Sequence, residues 1–213
     1  MQKFWLGLVA VLLVIALGFS YQLFQQQQQL QTAYRLPEPR IVKAFQLTDS
    51  EKKSVDVQQL YHQWTLVFVG YTSCPDICPM TMAMLSGAYP ELQKLAGQQP
   101  VQIWFVSVDP KRDTTAQLHS YMEYFANPAI RAMTASHDQL YPFVRDLDLM
   151  YAIANDSSED YRVDHSASIA LIDAKGRLVA SFKPDKAAAG MPPLVSREKL
   201  LADFAVLMQE TPQ

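Results

Sequence analysis

The chain has little cysteine. Two thiols among 213 residues are too few for the disulfide framework of a small secreted scaffold. It has no basic excess either. Eighteen Lys and Arg against 21 Asp and Glu leave a net charge of −3, which excludes the basic face of a nucleic-acid-binding protein. No segment repeats, so a solenoid is excluded. Charge is missing altogether from Phe4 to Phe24, and no Ala-x-Ala cleavage site follows that run. The Arg-rich, Ser-rich composition of an organelle import leader is also missing. Proline is absent between Pro142 and Pro184, an absence that matters below.

What is present begins with the uncharged run itself. As a helix, residues 4–24 would be about 31 Å long, one hydrocarbon core. Lys3 precedes the run and Arg35 is the next basic residue, which favours an N-terminus inside and the remaining chain outside. The expectation is an uncleaved membrane anchor over residues 1–24, with a cleaved signal peptide as the competing reading. The address expected is a bacterial inner membrane, crossed once, with the C-terminal domain in the periplasm. Residues 25–40, rich in Gln and interrupted by Pro37 and Pro39, read as a linker, and residues 41–213 as the folded domain.

Within 41–213, strand-like and helix-like segments alternate. FQLTD (45–49) and SVDVQQL (54–60) suggest a short hairpin. TLVFVGY (65–71) and VQIWFVSV (101–108) are continuous apolar runs, as strands buried on both faces require. Residues 79–96 carry Leu85, Ala88, Leu92 and Leu95 on one helical stripe. Thr114-x-x-Gln117 and Ser136-x-x-Gln139 are capping-box patterns, opening helices to Ala126 and to about Met150. SIALID (168–173) and RLVASF (177–182) flank a turn, and Ser196 opens a last amphipathic helix. This order predicts an α/β fold: a thioredoxin-like mixed sheet flanked by helices. In such sheets, sites gather at the carboxyl ends of strands.

Both cysteines lie there, in TSCPDICP (72–79), between an apolar strand and a helix. A structural staple is one reading of Cys74 and Cys78. A loop this short constrains the unfolded chain by only about 2 kcal/mol, against about 3 for a 15-residue loop. A reactive pair suits the place better. A helix N-terminus stabilises thiolate, which both thiol–disulfide exchange and metal binding use. Three residues separate the cysteines, where thiol oxidoreductases of this fold carry two.

A third ligand would decide between exchange and metal. His62, His119 and His137 fall at loop or helix positions where a lone histidine is ordinary surface. His165 precedes the closing hairpin, where thiol oxidoreductases place a proline and this chain has Asp164-His165. Two thiolates and an imidazole form a soft three-coordinate site suited to Cu(I). Zn(II) with an open position is also compatible.

Four separated elements, YTSCPDICP (71–79), SVDPKRD (107–113), VDHS (163–166) and LIDAKG (171–176), resemble the Sco/SenC family of copper-handling proteins. The resemblance implies copper, as Cu(I) with Cu(II) also compatible, on Cys74, Cys78 and His165. It implies assembly of a cytochrome oxidase copper centre. The partners implied are the oxidase's copper-containing subunit and a periplasmic copper donor or thiol reductase. The chain would then be a metallochaperone and not an enzyme. The alternative is a thiol–disulfide reductase that uses Cys74 and Cys78 to keep a target's copper-binding cysteines reduced. In the loop after the second strand, Asp113 is suited to cap the next helix and Arg112 to pair with an aspartate. The other reading makes Asp109 and Arg112, with Asp76 and Asp164 beside the ligands, a support for the site or a docking rim.

Overall fold

The computed structural model describes residues 15, 17, 18, 30–153, 161–187 and 190–210. The chain divides into two units, Met1–Gln31 and Thr32–Gln213, and the fold below is that of the second. Its strands are β1 (Ala33–Ile41), β2 (Gln46–Asp49), β3 (Ser54–Asp56), β4 (Trp64–Gly70), β5 (Val101–Ser107), β6 (Ile130–Thr134), β7 (Tyr151–Ile153), β8 (Val163–His165), β9 (Ile169–Ile172) and β10 (Arg177–Phe182). Its α-helices are α1 (Ile77–Ala96), α2 (Thr115–Glu123), α3 (His137–Asp146) and α4 (Arg197–Glu210).

The centre of the sheet is where the sequence is most apolar. β4 and β5 are buried at every position and run parallel, from Trp64 opposite Val101 to Gly70 opposite Ser107. Parallel pairing requires a crossover, and α1 supplies it. The full order is β1-β10-β9-β4-β5-β6-β2-β3, with β4, β5 and β6 parallel and the outer neighbours antiparallel. This is the expected thioredoxin-like mixed sheet.

Alternation along the strands sends two sets of side chains to two faces. Val67, Val69, Trp104, Val106, Ala170 and Ile172 join Phe45, Leu140 and Phe143 in one cluster. Leu66, Phe68, Ile103 and Phe105 belong to the other set and are also fully buried. Buried stripes of α1 (Met82, Leu85, Ala88, Leu92) and α4 (Leu200, Phe204, Leu207) complete this arrangement. Each such large side chain contributes about 1.5–3 kcal/mol through burial.

Several expectations are corrected. The membrane-spanning helix is not found: among the described residues no helix is long and apolar enough to cross a membrane. The longest, α1, has 20 residues, yet it carries Glu91, Gln93 and Lys94 and buries only one stripe. Of the apolar run over 4–24, only positions 15, 17 and 18 are described, and the rest lies outside the described residues. The anchor is withdrawn, and with it membrane attachment, the inner-membrane address and the tether. Residues 33–40, assigned to the linker, are part of an edge strand. The carboxylate of buried Asp203 fixes its start by accepting from the backbone N–H groups of Thr32 and Ala33, each at 2.7 Å.

Smaller departures concern helices. Thr114 caps α2, its hydroxyl accepting from the Gln117 N–H at 3.2 Å, but the Gln117 side chain donates to Thr72 instead of closing the box. Ser136 makes no side-chain cap bond. α3 stops at Asp146 rather than Met150, and Asp148 turns left-handed at φ 55°. The second half of SVDVQQL is a 3-10 turn (Val57–Leu60) with the capping box Asp56–Gln59.

Candidate metal centre

β4 ends at Gly70, and the chain turns into α1 through Tyr71–Asp76. A bond from the Cys74 N–H to the Tyr71 carbonyl, at 3.2 Å, closes the first part of that turn. Cys74 stands half-exposed, and Cys78 is fully buried in the first turn of α1. Both are free thiols. The end of β4 is glycine for a local reason. A Cβ there would lie 2.4 Å from the Cys78 sulfur and 3.0 Å from Phe105.

The third group arrives from the far side of the sequence. β8 pairs antiparallel with β7, placing His165 opposite Tyr151. Ser166 locks the end of this ribbon: its N–H donates to the Met150 carbonyl and its hydroxyl accepts from the Met150 N–H, both at 2.9 Å. The His165 ring stands edge-on to Phe68 and Tyr71, with centroids 5.8 and 5.9 Å away. Its Nδ1 lies 3.1 Å from the Ser166 carbonyl and its Nε2 3.4 Å from the Cys78 sulfur. A carbonyl can only accept, so Nδ1 carries the proton and Nε2 turns its lone pair to the thiols.

One ligand atom each from Cys74, Cys78 and His165 lie within 4.8 Å of one another. This donor set fits a metal. A cation about 2.3 Å from sulfur and about 2.0 Å from nitrogen, in a trigonal plane, requires sulfur–nitrogen and sulfur–sulfur spacings of about 3.7 and 4.0 Å. From spacings of at most 4.8 Å, the ligand atoms need shift by no more than about 1.1 Å to reach them. A Cys/Cys/His site able to hold a metal is therefore present.

The thiols are unequal. A hydrogen bond from the Cys78 thiol holds Cys74 as thiolate. The backbone N–H groups of Cys78 and Asp76 add to it, against the cost of burial, and Cys74 falls to about 3. Cys78 goes the other way: its bond to the Cys74 sulfur and its burial both hold the proton on. The side chain of Asp76, the N-cap residue of α1, makes no cap bond, which leaves the helix N–H groups to the sulfur.

The remaining candidates separate into two kinds. Asp76 and Asp164 are exposed and show no side-chain bond to the three ligands. Asp109 is buried, and it accepts from the Arg112 guanidinium and the Tyr161 hydroxyl. Arg112 thus pairs with an aspartate, but Asp113 does not cap α2. Its carboxylate turns back to accept from the Thr72 N–H at 2.8 Å, the Thr72 hydroxyl at 2.7 Å and the Ser107 hydroxyl at 2.5 Å. Burial raises its pKa. Gly70, Tyr71 and Tyr161 were not recognised from sequence as parts of the site, and Asp113 reads from sequence as a helix cap or as one end of a supporting loop. Of the first three, only Gly70 carried a signal, a glycine closing an otherwise apolar strand. The other histidines lie elsewhere: His137 Nδ1 is 2.9 Å from the Tyr151 hydroxyl, and His119 pairs with Glu123.

A thioredoxin-like domain with two thiols and an imidazole at its strand-to-helix mouth is a metal-binding form of that frame. Residues 33–196 match the SCO1/SenC family model, and the chain belongs to that family. It is 30% identical over 174 residues to a "Putative copper-binding protein" of Stutzerimonas stutzeri, covering 77% of this chain and 81% of that one. It is 33% identical over 138 residues to "Protein SCO1 homolog 1, mitochondrial" of Arabidopsis thaliana, covering 65% of this chain but only 41% of that protein. Among solved structures it resembles copper-bound ScoI of Arabidopsis thaliana, with TM-score 0.66, 28% identity and coverage of 79% and 98%. It also resembles apo Sco1 of Thermus thermophilus, with TM-score 0.66, 30% identity and coverage of 82% and 95%.

Proposed function

We propose that this domain is a copper carrier. It takes Cu(I) on Cys74, Cys78 and His165 and passes it to an acceptor protein, for which family likeness supports the copper centre of a cytochrome oxidase. The observation that carries this is the convergence of the three ligand atoms within 4.8 Å, with the His165 lone pair already turned inward. Two sulfurs and one imidazole nitrogen favour a soft monovalent ion over Zn(II), which prefers a fourth ligand. The likeness to ScoI structures with copper bound supports the same choice. Release is as important as capture for a carrier. Cys74 and His165 are partly open to solvent while Cys78 is sealed, so an incoming ligand can displace the outer two first.

Anaerobic titration of the reduced domain with Cu(I) against a competing chelator tests the reading. One ion per chain is expected, with affinity lost in Cys74→Ala and Cys78→Ala and strongly reduced in His165→Ala. Unchanged affinity in His165→Ala would remove the imidazole from the site. Zn(II) added in the same assay should not displace Cu(I).

One observation favours a second reading. An accessible thiolate beside a buried thiol suits disulfide exchange, in which Cys74 attacks a target disulfide and Cys78 resolves the mixed disulfide. The target disulfide takes up two electrons and the Cys78 proton and leaves as one thiol and one thiolate, while Cys74 and Cys78 become a disulfide that cannot hold copper. Efficient reduction of a protein disulfide, with Cu(I) binding indifferent to His165, would favour this reading over delivery.

A further inference from the structure

The ligands come from segments 87 residues apart, which the main sheet brings side by side: Ile169 at the start of β9, four residues after His165, lies opposite Phe68 of β4, six residues before Cys74. Among the described strands β8 pairs only with β7, and this ribbon is not hydrogen-bonded into the eight-stranded sheet. The β4–β9 pairing ends at Phe68 and Ile169, short of all three ligands, and the final placement of His165 and the cysteines falls to side-chain contacts.

We propose that Arg112 and Asp113, neighbours on the β5–α2 loop, are positioning residues that hold the two halves of the metal site together, Arg112 fixing the His165 half and Asp113 the Cys74 half. The proposal rests on the copper-binding reading above.

Arg112 grips Tyr161, four residues before His165, in two ways. Its guanidinium lies over the ring, 3.7 Å from the centroid, and Nη1 donates to the Tyr161 carbonyl at 3.0 Å. Asp109 accepts from both the guanidinium and the Tyr161 hydroxyl, which ties the pair together. The guanidinium also lies 5.4 Å from the centroid of the Tyr71 ring, the ring that stands edge-on to His165. A flat, delocalised cation can stack and donate at once, which an ammonium cannot.

Asp113 performs the matching task on the other half. It takes both the N–H and the hydroxyl of Thr72, two residues before Cys74, and Gln117 donates to the same hydroxyl. The loop between the two grips is itself closed, since the N–H groups of Arg112 and Asp113 both donate to the Asp109 carbonyl at 3.2 and 2.9 Å. Asp109 and Asp113 are fully buried, and neither is needed to start α2, which Thr114 caps. Burying two carboxylates is costly. Their contacts run to the segments that carry the ligands, and this is where they return that cost.

The test is a double-mutant cycle on Cu(I) affinity of the reduced domain. Arg112→Ala is expected to weaken binding about 10-fold or more in the wild-type background. It should have almost no effect in the His165→Ala background, because its effect runs through His165. Asp113→Ala should weaken binding in both backgrounds alike. X-ray absorption of Cu(I)-loaded Arg112→Ala should show the imidazole contribution lost and both sulfurs kept, a change that general loosening would not single out. Equal loss from Arg112→Ala in both backgrounds, or none in the wild-type background, would overturn the proposal. If Arg112→Ala does not fold, Arg112→Lys answers the same question, keeping the charge by Asp109 without the flat stack on Tyr161. The same two outcomes decide. Wild type and His165→Ala alone report on copper binding itself, so failure of that reading is distinguishable from failure of the clamp.

Discussion

Replacing Gly70 with alanine adds one methyl group against the sulfur of a proposed copper ligand. The new Cβ would lie 2.4 Å from the Cys78 sulfur, and 3.0 Å from Phe105 on the neighbouring strand. Ordinary contact needs about 3.5–4.0 Å, so the sulfur must retreat by more than about 1 Å. It has little room to do so. Cys78 is fully buried, and Thr81, Met82 and Leu85, the next buried residues along α1, are at most 2% exposed. Overpacking of this kind costs about 1–3 kcal/mol. At about 2–4 °C per kcal/mol for a domain of this size, the reduced apo protein should melt about 2–12 °C lower. The effect on metal should be larger than the effect on the fold, because a binding constellation tolerates only about 0.5 Å of displacement. Circular-dichroism melts of the reduced domain, without metal and at a buffered Cu(I) concentration, measure both. The increase in Tm that copper gives the wild type should be largely absent. Gly87→Ala is the control: Gly87 is an exposed α1 position with nothing within 4 Å of its added Cβ, and the change should be neutral or stabilise by up to about 1 kcal/mol. A Gly70→Ala protein with unchanged melting and the full copper shift would refute the close-contact reasoning.

The inequality of the thiols predicts selective chemistry: at pH 5, iodoacetamide should modify Cys74 and leave Cys78 untouched, read by peptide mass spectrometry, and equal labelling would contradict the assignment. The same pair makes stability depend on pH. Cys74 is depressed from 9.0 to about 3, so its contribution is complete above about pH 9 and is lost as pH falls toward 3. Cys78 is raised, so its contribution is present below about pH 9 and is lost as pH rises beyond it. Urea midpoints of the reduced domain, relative to Cys74→Ser, should therefore rise from pH 4 to 8, and a flat difference would show that the thiolate is not held by the fold. At the sheet edge, Asp203→Ala leaves two N–H groups at the start of β1 without their acceptor, which should cost about 1–3 kcal/mol in the same assay; no loss would mean that β1 holds without this tie.

The sheet's centre could be read from sequence because burial on both faces leaves β4 and β5 almost without polar residues. The most polar exception, Gln102, is satisfied internally by the Thr65 hydroxyl at 2.9 Å and the Gln59 carbonyl at 2.8 Å. The edges could not. β1 runs AYRLPEPRI, with two prolines and several charges, a composition that serves an edge strand as well as it serves a tether. What makes it a strand is β10, and no local signal states that partner. β6 is short, and its Arg131 breaks the apolar pattern because it pairs with buried Asp49 across the sheet at 2.8 Å. β7 and β8 are three residues each, shorter than any periodicity can reveal.

The site shows the same division for a different reason. Cys74, Cys78 and His165 could be singled out because sulfur and imidazole carry chemistry wherever they stand, and few of either occur in the chain. The residues around them have no such mark. An aspartate before a helix reads as a cap, and Asp113 is one residue away from being one. Thr114 took that role, which left the Asp113 carboxylate free to turn back to Thr72. Tyr161 reads as core, and it is buried, but its hydroxyl and carbonyl are both used. The ligand set alone therefore does not define the site. The pairing of β9 with β4 brings the two segments side by side but ends at Phe68 and Ile169, short of all three donors. What makes them a site is a loop whose adjacent residues, Arg112 and Asp113, reach in two directions, and that property belongs to the folded contacts rather than to any motif.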